Sequence, residues 1–117
     1  KDSALEYLRS VVGDESVKIT KIIGENPSPI SRTDCEGWQR VVNAVSGTWR
    51  GSIVSPYLMV QGSDSRHYRD LSDKVYRFSA MDLTAEERHT IHGNNERIRV
   101  DTAKRAVEFY VRLMKQC

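Results

Sequence analysis

The feature of this 117-residue sequence that most constrains its fold is the alternation of short apolar segments with helix-like segments. Segments 17–23, 53–60 and 75–78 have the length and the β-branched or aromatic content of strands. Strands that alternate with helices are typical of α/β layering. The sequence therefore predicts an α/β fold, in which Pro56 lies at a strand start or edge because it has no N–H to donate.

Three Ser/Thr-x-x-Glu pairs predict the N-termini of helices through capping boxes: Ser3 with Glu6, Thr33 with Glu36, and Thr84 with Glu87. A further short helix is expected after Gly62, with Ser63 or Asp64 as its cap. A last helix is predicted from Asp101 or Thr102 to the end of the chain. Its apolar face is expected to consist of Ala103, Ala106, Val107, Tyr110, Val111 and Met114.

Two prolines one residue apart, Pro27 and Pro29, disfavour regular helix and mark an internal boundary. They divide the chain into residues 1–23, a connector at 24–32, and residues 33–117. The first part holds one helix and one strand, whereas the last part holds the alternating pattern. This division predicts that the connector joins two structurally different regions.

Composition excludes several classes of protein. The 18 basic and 16 acidic residues give a net charge of +2 and are interleaved along the chain, so no nucleic-acid partner is predicted. No apolar run approaches the ~20 residues of a membrane span. Cys35 and Cys117 are too few and too scattered to predict a disulfide framework.

Two polar segments contain residue types with chemical uses: Gly62-Ser-Asp-Ser-Arg66 and His92-Gly-Asn-Asn-Glu96. Arg66 has a guanidinium that can bind a carboxylate through paired hydrogen bonds. The backbone N–H groups of residues 62–64 lie at a predicted helix start, which favours an anion. His92 offers an imidazole for a metal, and Glu96 can orient such a ligand.

Ordinary structural roles remain open for the same residues. Arg66 lies near Asp64 and Asp70 in sequence, and a surface ion pair with either would contribute little. His89 and His92 are spaced to share a metal on one side of a helix end. Two histidines make a poor zinc site, however, because zinc in proteins takes three or four protein ligands.

Three segments in this order and at these intervals resemble the end of the aminoacylase, carboxypeptidase S and dipeptidase family of two-zinc amidohydrolases: Gly62 to Tyr68, Val75 to Met81, and Ile91 to Ile98. The resemblance covers about residues 28–117. It implies that residues 33–117 are the C-terminal part of a zinc-exopeptidase-like α/β catalytic domain. It also implies that residues 1–23 are the last helix and strand of an inserted lid, or dimerisation, domain.

The resemblance also implies roles for single residues. His92 corresponds to a zinc ligand, and Arg66 corresponds to the arginine that contacts the substrate carboxylate. Gly62 and Ser63 are expected to line the same pocket, although Ser63 replaces a commoner threonine. Beyond these four, the resemblance implies that Asn95 and Glu96 support the zinc ligand. His67 and His89 match no family role and are expected to be surface residues.

The family's other zinc ligands and its glutamate general base have no counterpart in these 117 residues. The resemblance therefore implies a parent enzyme with two zinc ions, which cleaves a small peptide or an N-acyl amino acid, and a chain that is inactive alone. Its expected partners are the N-terminal half of the parent chain and further copies of itself. Family members occur in the cytoplasm, in the vacuole or outside the cell, so no compartment is predicted.

Two other functions remain open. The chain can be a non-catalytic interaction module derived from such an enzyme. It can also be a small independent metal-binding protein that uses His89, His92 and Glu96.

Overall fold

Helices are the regular elements of the computed structural model, which describes residues 2–117 without the side chain of Asp2. Lys1, the first residue of the predicted lid segment, lies outside the described residues. The helices are α1 (Asp2–Val12), α2 (Glu36–Thr48), a short 3-10 helix (Asp64–Tyr68), α3 (Ala85–His89) and α4 (Val100–Met114). In this part of the chain, no helix is long and apolar enough to cross a membrane.

The core of the described residues lies between α2 and α4, which are the pair of helices that pack together. Ala44 and Val45 of α2 pack with Phe109 of α4. Ala80, in the loop between the 3-10 helix and α3, completes this cluster. Phe78 packs against Phe109 in a tilted arrangement, with ring centroids 4.9 Å apart. The packing of two amphipathic helices thus supplies most of the buried apolar surface.

The apolar face predicted for α4 is confirmed at Ala106 and is wrong at most other positions, because the helix buries a neighbouring stripe. Thr102 and Phe109 are buried, and Ala106 and Leu113 pack against the core. Val107, Tyr110, Val111 and Met114 of the predicted face are exposed. Apolar residues occupy a wide arc of this helix, so the position of α2 decided which part of the arc is covered.

Truncation of the central core residue is expected to destabilise the chain strongly. Phe109 is 2% exposed, and Phe109→Ala should lower the free energy of unfolding by about 3–5 kcal/mol because a cavity replaces the ring. Urea denaturation followed by circular dichroism measures this change. The control is Val107→Ala on the same helix, where the side chain is 63% exposed. Equal effects of the two substitutions would contradict the assigned core.

The three predicted strands do not form within the described residues: segments 17–23, 53–60 and 75–78 are irregular. A strand needs a neighbouring backbone with which to form a ladder. Residues 31–32 and 73–75 lie side by side, but one backbone bond joins them, from Arg32 N to Asp73 O at 3.0 Å. The Ser31 side chain makes the other bonds, with Val75. The predicted α/β sheet is therefore absent from this part of the chain.

The capping box of α3 is confirmed. The Glu87 N–H donates to Thr84 Oγ1 at 3.2 Å, and the Thr84 N–H donates to Glu87 Oε2 at 2.8 Å. Arg99 Nε donates to the other oxygen of Glu87 at 2.9 Å. The box therefore also anchors the start of α4, because Arg99 is the residue that precedes that helix.

The helix starts predicted for α1, α2 and α4 differ from the observed ones. Ser3 lies inside α1, which begins at Asp2. Cys35, not Thr33, is the N-cap of α2, so Glu36 is its first residue and pairs with Arg40. The cap of α4 is Arg99 rather than Asp101 or Thr102, and its guanidinium bonds to Glu87 and to the Asp82 carbonyl.

Acid is expected to weaken the α3–α4 connection. The pKa of Glu87 is lowered from its ordinary value of 4.5, first by the Thr84 N–H and further by Arg99, against the opposing effect of burial. A carboxyl whose pKa is lower in the folded state stabilises that state above its ordinary pKa. This stabilisation is lost as the pH falls through the pKa that Glu87 has in the folded state.

The urea midpoint should consequently fall between about pH 7 and about pH 3, and Glu87→Gln should make this fall smaller. Glu108→Gln, at an exposed position of α4, is the matched control and should leave the pH profile unchanged. An identical profile for Glu87→Gln and the unsubstituted chain would refute the assigned role.

Candidate substrate and metal-ligand site

The Gly62 to Arg66 segment forms a loop that enters the 3-10 helix. Ser63 is the N-cap, since its side-chain oxygen accepts the N–H of Ser65 at 3.3 Å. This selects Ser63 over Asp64 as the cap. Gly62 is exposed, and a Cβ atom placed on it would meet no atom within 4 Å. The loop is therefore open to a ligand at its backbone.

Arg66 does not form the surface ion pair that the sequence left open. Within residues 3–117 its guanidinium contacts no carboxylate, and Asp70 pairs with Arg69 instead, with Nε and Oδ2 3.8 Å apart. The polar contact of Arg66 is a long one, in which Nε donates to Nε2 of His67 at 3.5 Å. Arg66 is exposed, so most of its five N–H donors are available to a carboxylate.

A groove of about 950 Å³ runs along this loop. The connector, one side of α2 and residues 53–63 form its walls, and Gly62, Ser63 and Arg66 lie at one part of its lining. Much of the remaining lining is apolar, as at Trp38 and Tyr57. The arrangement combines a cationic side chain with an apolar surface, as ligand sites for amphipathic carboxylates require.

The His92 loop follows α3 in a turn with unusual backbone geometry. His92 and Asn95 have positive φ angles of 61° and 64°. The left-handed region costs a residue such as His about 1–2 kcal/mol and costs Asn less. The imidazole of His92 is exposed and makes no hydrogen bond within residues 3–117. Strain of this kind is frequent where a backbone presents a functional side chain.

The structure does not bring all the predicted site residues together. His92, Asn95 and Glu96 are absent from the lining of the groove that contains Arg66. Neither Asn95 nor Glu96 bonds to His92, and both are exposed. Their supporting roles remain predictions. His67 and His89 are exposed, as expected of surface residues.

A metal site is not complete in the part of the chain that the structure describes. No group of three or more His, Cys, Asp or Glu side chains is arranged there to hold a metal ion. The alternative in which His89, His92 and Glu96 form an independent site therefore has no geometric support. One exposed imidazole is compatible with a shared zinc site, since zinc requires three or four protein ligands.

One contact near the groove was not foreseen from the sequence. Cys35 Sγ and Tyr76 Oη lie 3.0 Å apart at the start of α2. Tyr76 and the N–H groups of Trp38 and Gly37 lower the pKa of the Cys35 thiol. Burial, followed by Cys35, raises the pKa of Tyr76 to about 12. Both cysteines are free thiols.

Comparison with known proteins identifies relatives of this chain among hydrolases. A probable carboxypeptidase S-like protein of Dictyostelium discoideum is 30% identical over 112 residues, which are 95% of this chain and 22% of that protein. N-fatty-acyl-amino acid synthase/hydrolases of Xenopus tropicalis and Danio rerio are 31% and 34% identical, with the same coverage of both chains. No family model and no solved structure matches the chain.

These relatives confirm the resemblance to the aminoacylase, carboxypeptidase S and dipeptidase family. The alignment extends along nearly all of this chain. The chain spans about a fifth of the length of the curated relatives that it matches.

Proposed function

We propose that this chain is the C-terminal part of a zinc-dependent amidohydrolase, which cleaves an amide bond next to a free carboxylate. The observation that carries this proposal is the guanidinium of Arg66, which is free of carboxylate partners within residues 3–117 and lines an apolar groove. Relatives named for carboxypeptidase and N-fatty-acyl-amino acid hydrolase activity support it. The substrate is a small peptide or an N-acyl amino acid.

The residues of this chain bind and orient the substrate in this proposal. Arg66 holds the carboxylate through paired hydrogen bonds, while Gly62 and Ser63 form the adjacent wall of the pocket. His92 supplies one ligand of the metal centre, and Asn95 and Glu96 support it. Zinc held there would supply Lewis-acid polarisation of the amide carbonyl and a lowered pKa for its bound water. The general base and the remaining ligands belong to the other part of the parent protein.

The same proposal accounts for the missing sheet. The 53–60 segment has the composition of a buried strand, yet Ile53 and Tyr57 are 95% and 98% exposed. Backbone groups and apolar side chains at such positions are normally covered by neighbouring strands. We propose that residues 33–117 complete an α/β catalytic domain with the rest of the parent chain. Residues 1–23 are then the end of the lid domain, and residues 24–32 are the connector.

Activity assays on the isolated chain and on the full-length parent test this proposal. The parent should hydrolyse peptides or N-acyl amino acids in a zinc-dependent manner, whereas the isolated chain should be inactive and bind zinc weakly. Calorimetry and metal analysis measure the zinc directly. Metal-dependent cleavage or tight zinc binding by the isolated chain would refute the assignment of one ligand to this part.

A role as an interaction module is the second candidate, and the exposed apolar surface favours it. Besides Ile53 and Tyr57, the side chains of Ile22, Ile30 and Val60 are at least 85% exposed. Large exposed apolar patches tend to bind other protein surfaces, so the isolated chain is expected to self-associate. Light scattering over a range of concentrations measures this. A monomer at high concentration would contradict the expected self-association, and hydrolysis by the parent would exclude a purely non-catalytic role.

A further inference from the structure

Arg77 occupies an unusual position for a charged side chain. It is half-buried, and both of its hydrogen bonds go to uncharged serine hydroxyls. Its Nε donates to Ser65 Oγ at 2.7 Å, and its Nη2 donates to Ser28 Oγ at 2.8 Å. No carboxylate among residues 3–117 pairs with it. The guanidinium is therefore held by a bridge between hydroxyls and not by charge neutralisation.

The bridge joins segments that are distant in sequence. Ser28 belongs to the connector, 49 residues from Arg77, and Ser65 precedes Arg66 directly in the 3-10 helix. The N–H of Ser65 in turn donates to Ser63 Oγ. Ser28, Ser65, Arg66 and Arg77 all line the same groove. The guanidinium of Arg77 thus joins the loop that carries Arg66 to the connector.

We propose that Arg77 is a positioning residue for the carboxylate site, which sets the orientation of Arg66 by fixing Ser65 to Ser28. This inference rests on the proposed function of Arg66. Hydrogen bonds from a charged donor are about twice as strong as neutral ones. A planar guanidinium can hold two acceptors in a fixed geometry, which the compact ammonium of lysine cannot do.

Arg77→Lys in the full-length parent tests the proposal, because it retains the positive charge and removes the fork. KM for a carboxylate substrate should rise about 10-fold with kcat little changed, which is the effect of losing one charge-assisted bond. The methyl ester of the same substrate should show no such rise. Ser65→Ala should reproduce part of the effect. Arg50→Lys, at an exposed position with no hydrogen bond or ion pair to its side chain within residues 3–117, should leave KM unchanged.

A double substitution separates positioning from general stability. If Arg77 acts through Arg66, Arg77→Lys should change KM less than about 2-fold in an Arg66→Ala background, since coupled residues are not additive. Additive effects, an unchanged KM in Arg77→Lys, or equal losses for the acid and its ester would overturn the proposal. If Arg66→Ala raises KM and Arg77→Lys does not, Arg77 alone is wrongly assigned. If neither does, both the inference and the assigned role of Arg66 fail.

Discussion

Replacement of His92 by alanine in the full-length parent is expected to lower metal-dependent amide cleavage by at least about 100-fold. Replacement of a residue that merely supports a metal ligand lowers metal affinity or activity by about 10–100-fold. The loss of a ligand itself should lower them more. His92 is exposed in a strained left-handed turn and makes no hydrogen bond within residues 3–117. Its imidazole is thus free to coordinate a metal shared with other parts of the parent.

Zinc content and activity should fall together in His92→Ala. The matched control is His89→Ala, because His89 is exposed three residues earlier at the end of α3 and has no assigned role. That variant should retain both zinc and activity. If His92→Ala keeps normal zinc stoichiometry and normal turnover, His92 is not a ligand, and the family correspondence at this position is wrong.

Arg66→Ala in the parent is expected to raise KM for substrates with a free carboxylate by about 10- to 100-fold. This range corresponds to the loss of charge-assisted hydrogen bonds of about 1.5–3 kcal/mol. The physical reason is that Arg66 has no carboxylate partner within residues 3–117, so its donors are not already committed to another anion. Arg66→Lys should recover part of the affinity, because a point charge replaces the bidentate fork.

Substrates whose carboxylate is esterified provide the specificity control for Arg66→Ala. They should be bound equally by the variant and the parent, because the interaction removed is the one with the carboxylate. Arg50→Ala removes another exposed guanidinium and should change neither class of substrate. Equal losses for the acid and the ester would show that Arg66 supports the structure of the loop without binding the carboxylate.

Local interactions explain why parts of the fold could be predicted. The Thr84 and Glu87 capping box is confirmed because its two hydrogen bonds span three residues and need no distant partner. Ser63 as a helix cap depends on a bond to Ser65 and is equally local. The resemblance to the hydrolase family is also a property of the residues themselves, and the relatives confirm it along 95% of the chain.

Distant contacts explain most of the errors. The start of α4 differs from the predicted one, and Arg99, the residue before that helix, bonds to the distant Glu87 and to the Asp82 carbonyl. The apolar arc of α4 is wider than the surface that α2 covers, so its buried stripe could not be chosen from periodicity alone. The segment 53–60 lacks a neighbouring strand, and its side-chain pattern cannot supply one.

The amino-acid sequence by itself determined where helices occur, which loops carry polar groups, and which family the chain resembles, because these depend on residues close along the chain or on their order. Only the tertiary structure decided that Arg66 is free of ion pairs within residues 3–117 and that Arg77 joins Ser28 to Ser65 across 49 and 12 residues. The reason is physical: a charged side chain pairs with whichever groups the fold places within hydrogen-bonding distance, and proximity in sequence does not set that distance.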